Sequence, residues 1–558
     1  MVQPPSSAPR VPRSLLAVIL VGGLLRVVPI WFGLPFDRAR PDEETAIGHA
    51  LAIVGGDLNP HFFHWPSLTF YLFAGAFAAV SWLQRLIGLG PALSGDAQFV
   101  IARAIVAAAG TITIVALYAA MRQITGQATA VIAAFFLAVA PLHVRDSHFA
   151  MTDVLTTLFV TLSIGQLLRA IAPPATAGDE PSAPRRFAVA GLWGGLAAST
   201  KYTGAATIAA CIAALCVHLR RPPIGRGPQT ASGDEPLRSR RWTTVVAGGA
   251  CAAGFLAGFF AGTPYALLDP RSFASGVGFD VTHLATGHAY VDLGPGWTYH
   301  LGHSLWYGLG PTVFLAAAVG TIVLARLNGP AAVVIGTLCG TLYAAVGPGR
   351  TVFFRYVLPI VPMACGSAAL AVQAAARWLT TGAPARSMKR LSPTLLGPVA
   401  LAIALPPLVT DARLDLLLAR TDSRVLAGRW LAAHVTADQA VYDAGGVYAG
   451  ASWLDVPGHQ WGAETYDAPH NVFRWSEGRL PDWLVLPESA LVYGAPPPEL
   501  RRLAAEKYRL AYVIAATSGT AVNSVYDRQD AFFLPIAGFD PIVRPGPTFR
   551  IYQRATDH

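Results

Sequence analysis

Residues 66–86 read PSLTFYLFAGAFAAVSWLQRL. The stretch is about as long and as apolar as a helix that crosses a bilayer, and whether it crosses fixes the side on which every later segment emerges. Basic residues decide the matter, because Lys and Arg accumulate on cytoplasmic flanks. Arg10 and Arg13 precede an apolar run at 14–34, and Arg122 follows another at 98–121. A first helix that exits, followed by one that ends inside at Arg122, leaves no room for a crossing between them. The stretch is therefore predicted to lie in or dip into the outer interface, a depth suited to Tyr71 and Trp82.

The whole chain supports a membrane reading. Of 558 residues, 53% are hydrophobic and 13% charged, too apolar for an ordinary soluble protein. The net charge of +9 comes from arginines clustered between apolar runs, which fits topology and excludes a nucleic-acid partner. The five cysteines lie inside apolar segments and read as small core residues. Further apolar runs follow at 127–143, 152–171, 187–219, 242–264, 304–326, 330–347, 354–376 and 394–410. The run 187–219 is too long for one span and carries STKYTG in its middle, so it splits into two short helices meeting at Lys201. The expected fold is an all-α polytopic membrane domain of about 11 transmembrane helices, with external juxtamembrane helices, plus a C-terminal α/β soluble domain.

The expected divisions are a cytoplasmic N-terminus at 1–13, a membrane domain at 14–410 with external loops 35–97 and 265–303, and an extracytoplasmic α/β domain at 411–558. After Thr410 an amphipathic helix gives way to short runs such as QAVYDAG, DWLVLP and PTFRIYQR, separated by Pro and Gly turns. Pro-, Ala- and Gly-rich stretches at 172–184 and 222–236 read as cytoplasmic connectors. The expected location is a bacterial-type inner membrane, crossed many times.

In this topology several ionisable residues fall at the outer ends of spans, where charge is costly and usually serves a cavity. They include Asp42, Glu43, Arg103, Arg145, Asp146, Asp153, Lys201 and Arg355. The acids of RPDEE also suit the first turn of a helix, whose positive end they complement. Lys201 stands out because the chain holds three lysines against thirty-eight arginines, and this one sits at a helix break. A cation snorkelling at a helix end is the alternative reading. His61 and His64 could join Asp42 and Asp153 around a divalent metal, or serve as interfacial scaffolding.

Taken together, these pieces resemble the GT-C class of integral-membrane glycosyltransferases, in particular the bacterial relatives of protein O-mannosyltransferases and lipid A aminoarabinose transferases. The resemblance rests on the Asp42-Glu43 pair after the first span, the aromatic-Pro segment FFHWPSLTFYL, and Arg103 opening the next span. It rests also on the acidic turn HVRDSHFAMTD and on RYVLPIVP. It covers 14 to about 410 and implies an enzyme that moves a sugar from a polyprenyl-phosphate-linked donor to a protein, lipid or glycan acceptor, with inversion, on the extracytoplasmic face. It implies Asp42 as catalytic base with Glu43 beside it, and Lys201, Arg355 and Arg103 as cations for the donor phosphate. His64, Asp153, Tyr356 and His148 are further site candidates. The Asp-x-Asp of the oligosaccharyltransferase branch is here Met151-Thr152-Asp153, so that branch's paired-acid metal site is incomplete. No cofactor follows with certainty. A transporter or flippase of a lipid-linked substrate would also use a broken helix and intramembrane charge, and a scaffold protein with an external binding domain is a third reading.

Overall fold

The computed structural model describes residues 12–555, apart from 89, 91–92, 173–182, 221–234, 289–290, 382–392 and 475–478. The N-terminal tail and nearly all of both expected connectors lie outside the described residues.

The first half is helical: α1 (Arg13–Val27), α2 (Glu43–Val54), α3 (Leu68–Leu86), α4 (Gly95–Met121), α5 (Gln127–Ala138), α6 (Pro141–Asp146), α7 (Asp153–Ile171), α8 (Ala183–Thr200), α9 (Thr207–Arg220) and α10 (Glu235–Gly262). Two helices follow in the expected external loop, α11 (Tyr265–Leu268) and α12 (Pro270–Thr286). Then come α13 (Gly296–Tyr299), α14 (Trp306–Leu309), α15 (Pro311–Leu327), α16 (Gly329–Val346), α17 (Val361–Thr381), α18 (Pro393–Leu418) and α19 (Ser423–His434). Among the described residues, seven helices are long and apolar enough to cross a membrane, or eight if the pair Gly296–Leu309 and Pro311–Leu327, bent by 111°, is one span. That is fewer than the count expected from apolar runs, because α1 and α5 have only 15 and 12 helical residues and the 18-residue α8 opens on Ala-Pro-Arg-Arg. The 19-residue α3 is not among the seven; its last two turns carry Gln84 and Arg85.

The break at Lys201 is present. Lys201 is extended, at φ −152° and ψ 135°, and a 3₁₀ turn, Tyr202–Ala206, separates α8 from α9. A second 3₁₀ segment, Phe354–Ile360, carries Arg355 and Tyr356 ahead of α17. α18 runs on to Leu418, past the boundary expected at 410, since RLDLLL continues the helical apolar pattern; its tail packs Leu414, Leu417 and Leu418 into a core shared with the C-terminal domain.

That domain is built on a five-stranded mixed sheet. The strands are β1 (Ala440–Asp443), β2 (His459–Trp461), β5 (Trp483–Glu488), β6 (Tyr508–Ile514) and β7 (Thr548–Arg554), ordered β2-β1-β5-β7-β6, and β3 (Tyr466–Asp467) pairs with β4 (Val472–Phe473) apart from it. β1 is parallel to β2 and β5, while β7 is antiparallel to β5 and β6. The long chain between β6 and β7 leaves the sheet and reaches the membrane domain. Phe532 and Phe533 there share a core with Phe32, Phe36 and Phe149 from the first half of the chain.

α8 and α10 approach with backbones nearly touching. A Cβ on Gly191 or Gly195 would collide with the carbonyl oxygens of Cys251 or Phe255, and one on Gly254 or Gly258 with those of Ala188 or Leu192. Each helix thus offers two glycines four residues apart, the spacing that lets membrane helices pack closely. Gly195→Leu is expected to separate the pair and destabilise the fold by about 1–3 kcal/mol, read as a lower melting temperature in detergent; an unchanged melting curve would contradict this packing.

Candidate functional site

The three acids of RPDEE divide between three parts of the molecule. Glu43 turns inward and is fully buried. Its Oε1 accepts from Arg103 Nε at 2.9 Å and from the Ala150 backbone N–H at 2.7 Å, and its Oε2 accepts from Arg103 Nη2 at 2.6 Å. Arg103 gives its remaining nitrogen to the carbonyls of Ile30 and Phe32, at 3.0 and 2.9 Å, and lies over the Phe32 ring. Glu44 points the other way, accepting from the Tyr448 hydroxyl of the C-terminal domain at 2.9 Å, and burial pushes its carboxyl up. Asp42 remains for the site.

Asp42 precedes α2 with φ at +74°, in the left-handed region where side chains other than those of Gly, Asn and Asp are strained. Its carboxylate makes no capping bond to the helix. The helix-start reading therefore explains Glu43 and Glu44, which occupy the first turn, but not the Asp42 side chain. That side chain, 34% exposed, accepts from Arg355 Nη2 at 3.3 Å.

Arg355 is the hub. Its Nη1 donates to Asp530 at 2.8 Å, its Nε lies 3.9 Å from Asp153 Oδ2, and its guanidinium sits 4.1 Å from the Phe353 ring centre. Asp153, at the start of α7, accepts from Lys201 Nζ at 2.5 Å through its other oxygen. Lys201 in turn lies 4.6 Å from the centre of the Tyr356 ring. Among the described residues, Asp153 Oδ2 has no hydrogen-bond donor although it is buried. The site thus combines two cations backed by aromatic faces, one half-open carboxylate and one buried carboxylate with a free oxygen.

Asp530 belongs to the C-terminal domain. Its second oxygen accepts from Arg40 Nη1 at 2.9 Å, and Arg40 also donates to the Pro41 carbonyl, next to Asp42. Burial would raise the Asp530 carboxyl, but Arg40 and Arg355 hold it below the usual carboxylate range. Burial, with Asp530 nearby, pushes Asp527 up to about 7 despite the bond it accepts from the Phe354 N–H. Sequence reasoning missed Arg40, Asp527 and Asp530.

Of the expected site residues, Asp42, Asp153, Lys201, Arg355 and Tyr356 come together. The other expected residues lie apart from this cluster or are bonded elsewhere. Arg103 was expected at the donor phosphate and Glu43 as a partner in catalysis, but in this structure each is bonded to the other and to backbone. His148 is buried between the Val144 and Val28 carbonyls, 3.6 Å from Asp415, outside the cluster. His64 stacks on Phe279 of α12 at 3.8 Å, and His61 pairs with Asp57 at 3.3 Å on the surface. A divalent metal held by Asp42, His61, His64 and Asp153 does not fit. Both acids face cations, neither imidazole reaches them, and among the described residues no three metal-ligating side chains gather.

Residues 78–227 match the family model described as dolichyl-phosphate-mannose-protein mannosyltransferase. That segment is about a quarter of the chain. It includes Arg103, Asp153 and Lys201 and stops short of Asp42 and Arg355. Among solved structures, the apo oligosaccharyltransferase of Archaeoglobus fulgidus is similar, with 15% identity and a TM-score of 0.48, over 76% of this chain and 58% of that one. ArnT from Cupriavidus metallidurans bound to undecaprenyl phosphate is similar with 15% identity and a TM-score of 0.45, over 90% of this chain and 95% of that one. The Saccharomyces cerevisiae protein O-mannosyltransferase Pmt1-Pmt2 complex gives 18% identity and a TM-score of 0.34, over 47% and 34%. No curated protein sequence matches this chain.

The buried Arg103–Glu43 pair fixes the segment that holds Asp42. Removing one partner of such a pair leaves an uncompensated charge, at a cost of about 3–5 kcal/mol. Glu43→Gln is therefore expected to lower the melting temperature and the yield of folded protein. A Glu43→Gln protein of wild-type stability that had lost all activity would instead restore Glu43 as a reacting group.

Proposed function

We propose that the protein is an inverting membrane glycosyltransferase that takes a sugar from a polyprenyl-phosphate carrier and passes it to an acceptor hydroxyl or amine at the extracytoplasmic face. The observation that carries this reading is the placement of Asp42. It is the most exposed of the cluster's carboxylates, turned from its helix toward Arg355, with Lys201 close behind through Asp153.

In this mechanism Arg355 and Lys201 hold the donor phosphodiester. A fork and a point charge together suit an anion whose charge grows as the sugar leaves. Asp42 accepts the proton of the attacking acceptor as the new bond to the anomeric carbon forms and the bond from that carbon to the phosphate oxygen breaks. The products are the glycosylated acceptor and polyprenyl phosphate, whose added negative charge rests on the two cations. Asp153 orients Lys201. The family match over 78–227 supports the donor class. The acceptor class stays open between protein, lipid and glycan.

The same reading puts the N-terminus in the cytoplasm and the C-terminal domain outside, on the strength of the arginines that flank the inner ends of the spans. It also gives α12 the task of excluding water, which would otherwise hydrolyse the donor. α12 supports this role through the ring contact between His64 and Phe279, and through the Leu284 carbonyl, which accepts the Arg350 N–H at 2.9 Å.

Purified protein in lipid vesicles, given a labelled polyprenyl-phosphate-linked sugar and an envelope extract as acceptor source, should release polyprenyl phosphate. Asp42→Asn should lower turnover by about 100-fold or more at unchanged melting temperature, and normal turnover by that variant would remove the base assignment. Phe279→Ala should raise the ratio of free sugar to transferred sugar; if the ratio stays constant, α12 does not guard the site.

A further inference from the structure

We propose that Asp530, supplied by the C-terminal domain, is a positioning residue that fixes the Arg355 fork for the donor phosphate, so that this domain is part of the transferase site. The inference rests on the reading of Arg355 as a phosphate ligand. Its evidence is the contrast between the two sides of that guanidinium.

On the Nη1 side everything is held. Arg355 and Asp530 are both almost completely buried, their bond is 2.8 Å, and the far oxygen of Asp530 is fixed by Arg40 at 2.9 Å. The chain around Asp530 grips the backbone leading to Arg355. Gln529 accepts the Val352 N–H at 2.7 Å and donates to the Arg350 and Val291 carbonyls, at 3.0 and 2.9 Å. Asp527 accepts the Phe354 N–H at 2.8 Å. Three side chains from four consecutive residues therefore locate residues 350–355.

On the other side the contacts are loose. Asp42 is at 3.3 Å and half-open, and Asp153 is at 3.9 Å, beyond hydrogen-bonding range. These are the nitrogens a phosphate can engage. A guanidinium does not deprotonate, so without Asp530 its charge would swing toward Asp42 and Asp153. That motion would quench the base and close the phosphate position in one step. Since phosphate charge increases only as the sugar departs, a misplaced fork harms the transition state more than donor binding.

The test uses the full chain in vesicles. Asp530→Asn should lower kcat on the order of tenfold or more, with donor KM changed by less than about threefold, and Asp530→Glu should recover a large part of the loss. In an Arg355→Lys background, which has already lost the fork, Asp530→Asn should add little, because residues that act through one another are not additive. Wild-type kcat for Asp530→Asn, an equal loss in both backgrounds, or an effect confined to donor KM would overturn the proposal. If Asp530→Asn does not fold, Gln529→Leu removes the neighbouring anchors without changing charge; it should show the same kcat-dominated loss, and wild-type kcat there would also overturn it. Arg355→Lys at full turnover would remove the phosphate reading itself, whatever Asp530 does.

Discussion

A buried guanidinium stays charged, so a fold that buries Arg355 must bring acceptors to it, and at Arg355 these include carboxylates. Here they arrive from three distant places: Asp42 after the first helix, Asp153 at the start of α7, and Asp530 from the loop between β6 and β7. That requirement ties together the membrane helices, the loop before α2 and the C-terminal domain. It also explains the run of three acids at 42–44. Glu43 clamps the loop to α4 through Arg103, Glu44 touches the C-terminal domain through Tyr448, and Asp42, held between these anchors, is left half-open beside the cations.

The division of labour is electrostatic as well as geometric. Fully buried pairs such as Arg103–Glu43 and Arg40–Asp530 have short bonds and serve as struts. The looser contacts, with Asp42 and with the free oxygen of Asp153, lie where a ligand can exchange for them. In the proposed mechanism an anionic donor would take the place of the Asp42 contact to Arg355, with Lys201 still held by Asp153, and so free Asp42 for the acceptor proton. The site rests in a self-neutralised state, and on the proposed mechanism substrate binding would convert a structural network into a reactive one.

Much of this organisation was legible in the sequence because it rests on patterns a bilayer imposes. A polar STKYTG inside an apolar run marked the break at Lys201, since a helix does not carry such a motif through hydrocarbon without a structural reason. What stayed hidden depends on contacts no local pattern records. Arg40 and Asp530 are 490 positions apart. The only hint was the run YDRQDAFFL at 526–534, where charged residues meet a large apolar group in a supposedly soluble domain. Glu43 and Arg103 were legible as unusual but not as partners, and glycines spaced by four in both α8 and α10 were passed over because apolar runs mask them. The change of composition after Thr410 announced a C-terminal domain, but not that the last turns of α18, beyond that limit, pack against it.

The most direct measurement is an experimental structure of the full chain with polyprenyl phosphate bound in a lipid nanodisc. The account predicts the phosphate within hydrogen-bonding distance of both Arg355 and Lys201, the Arg355–Asp530 bond intact, and the Asp42 carboxylate turned free of Arg355. A phosphate seated elsewhere, with Arg355 still paired to Asp42, would contradict it.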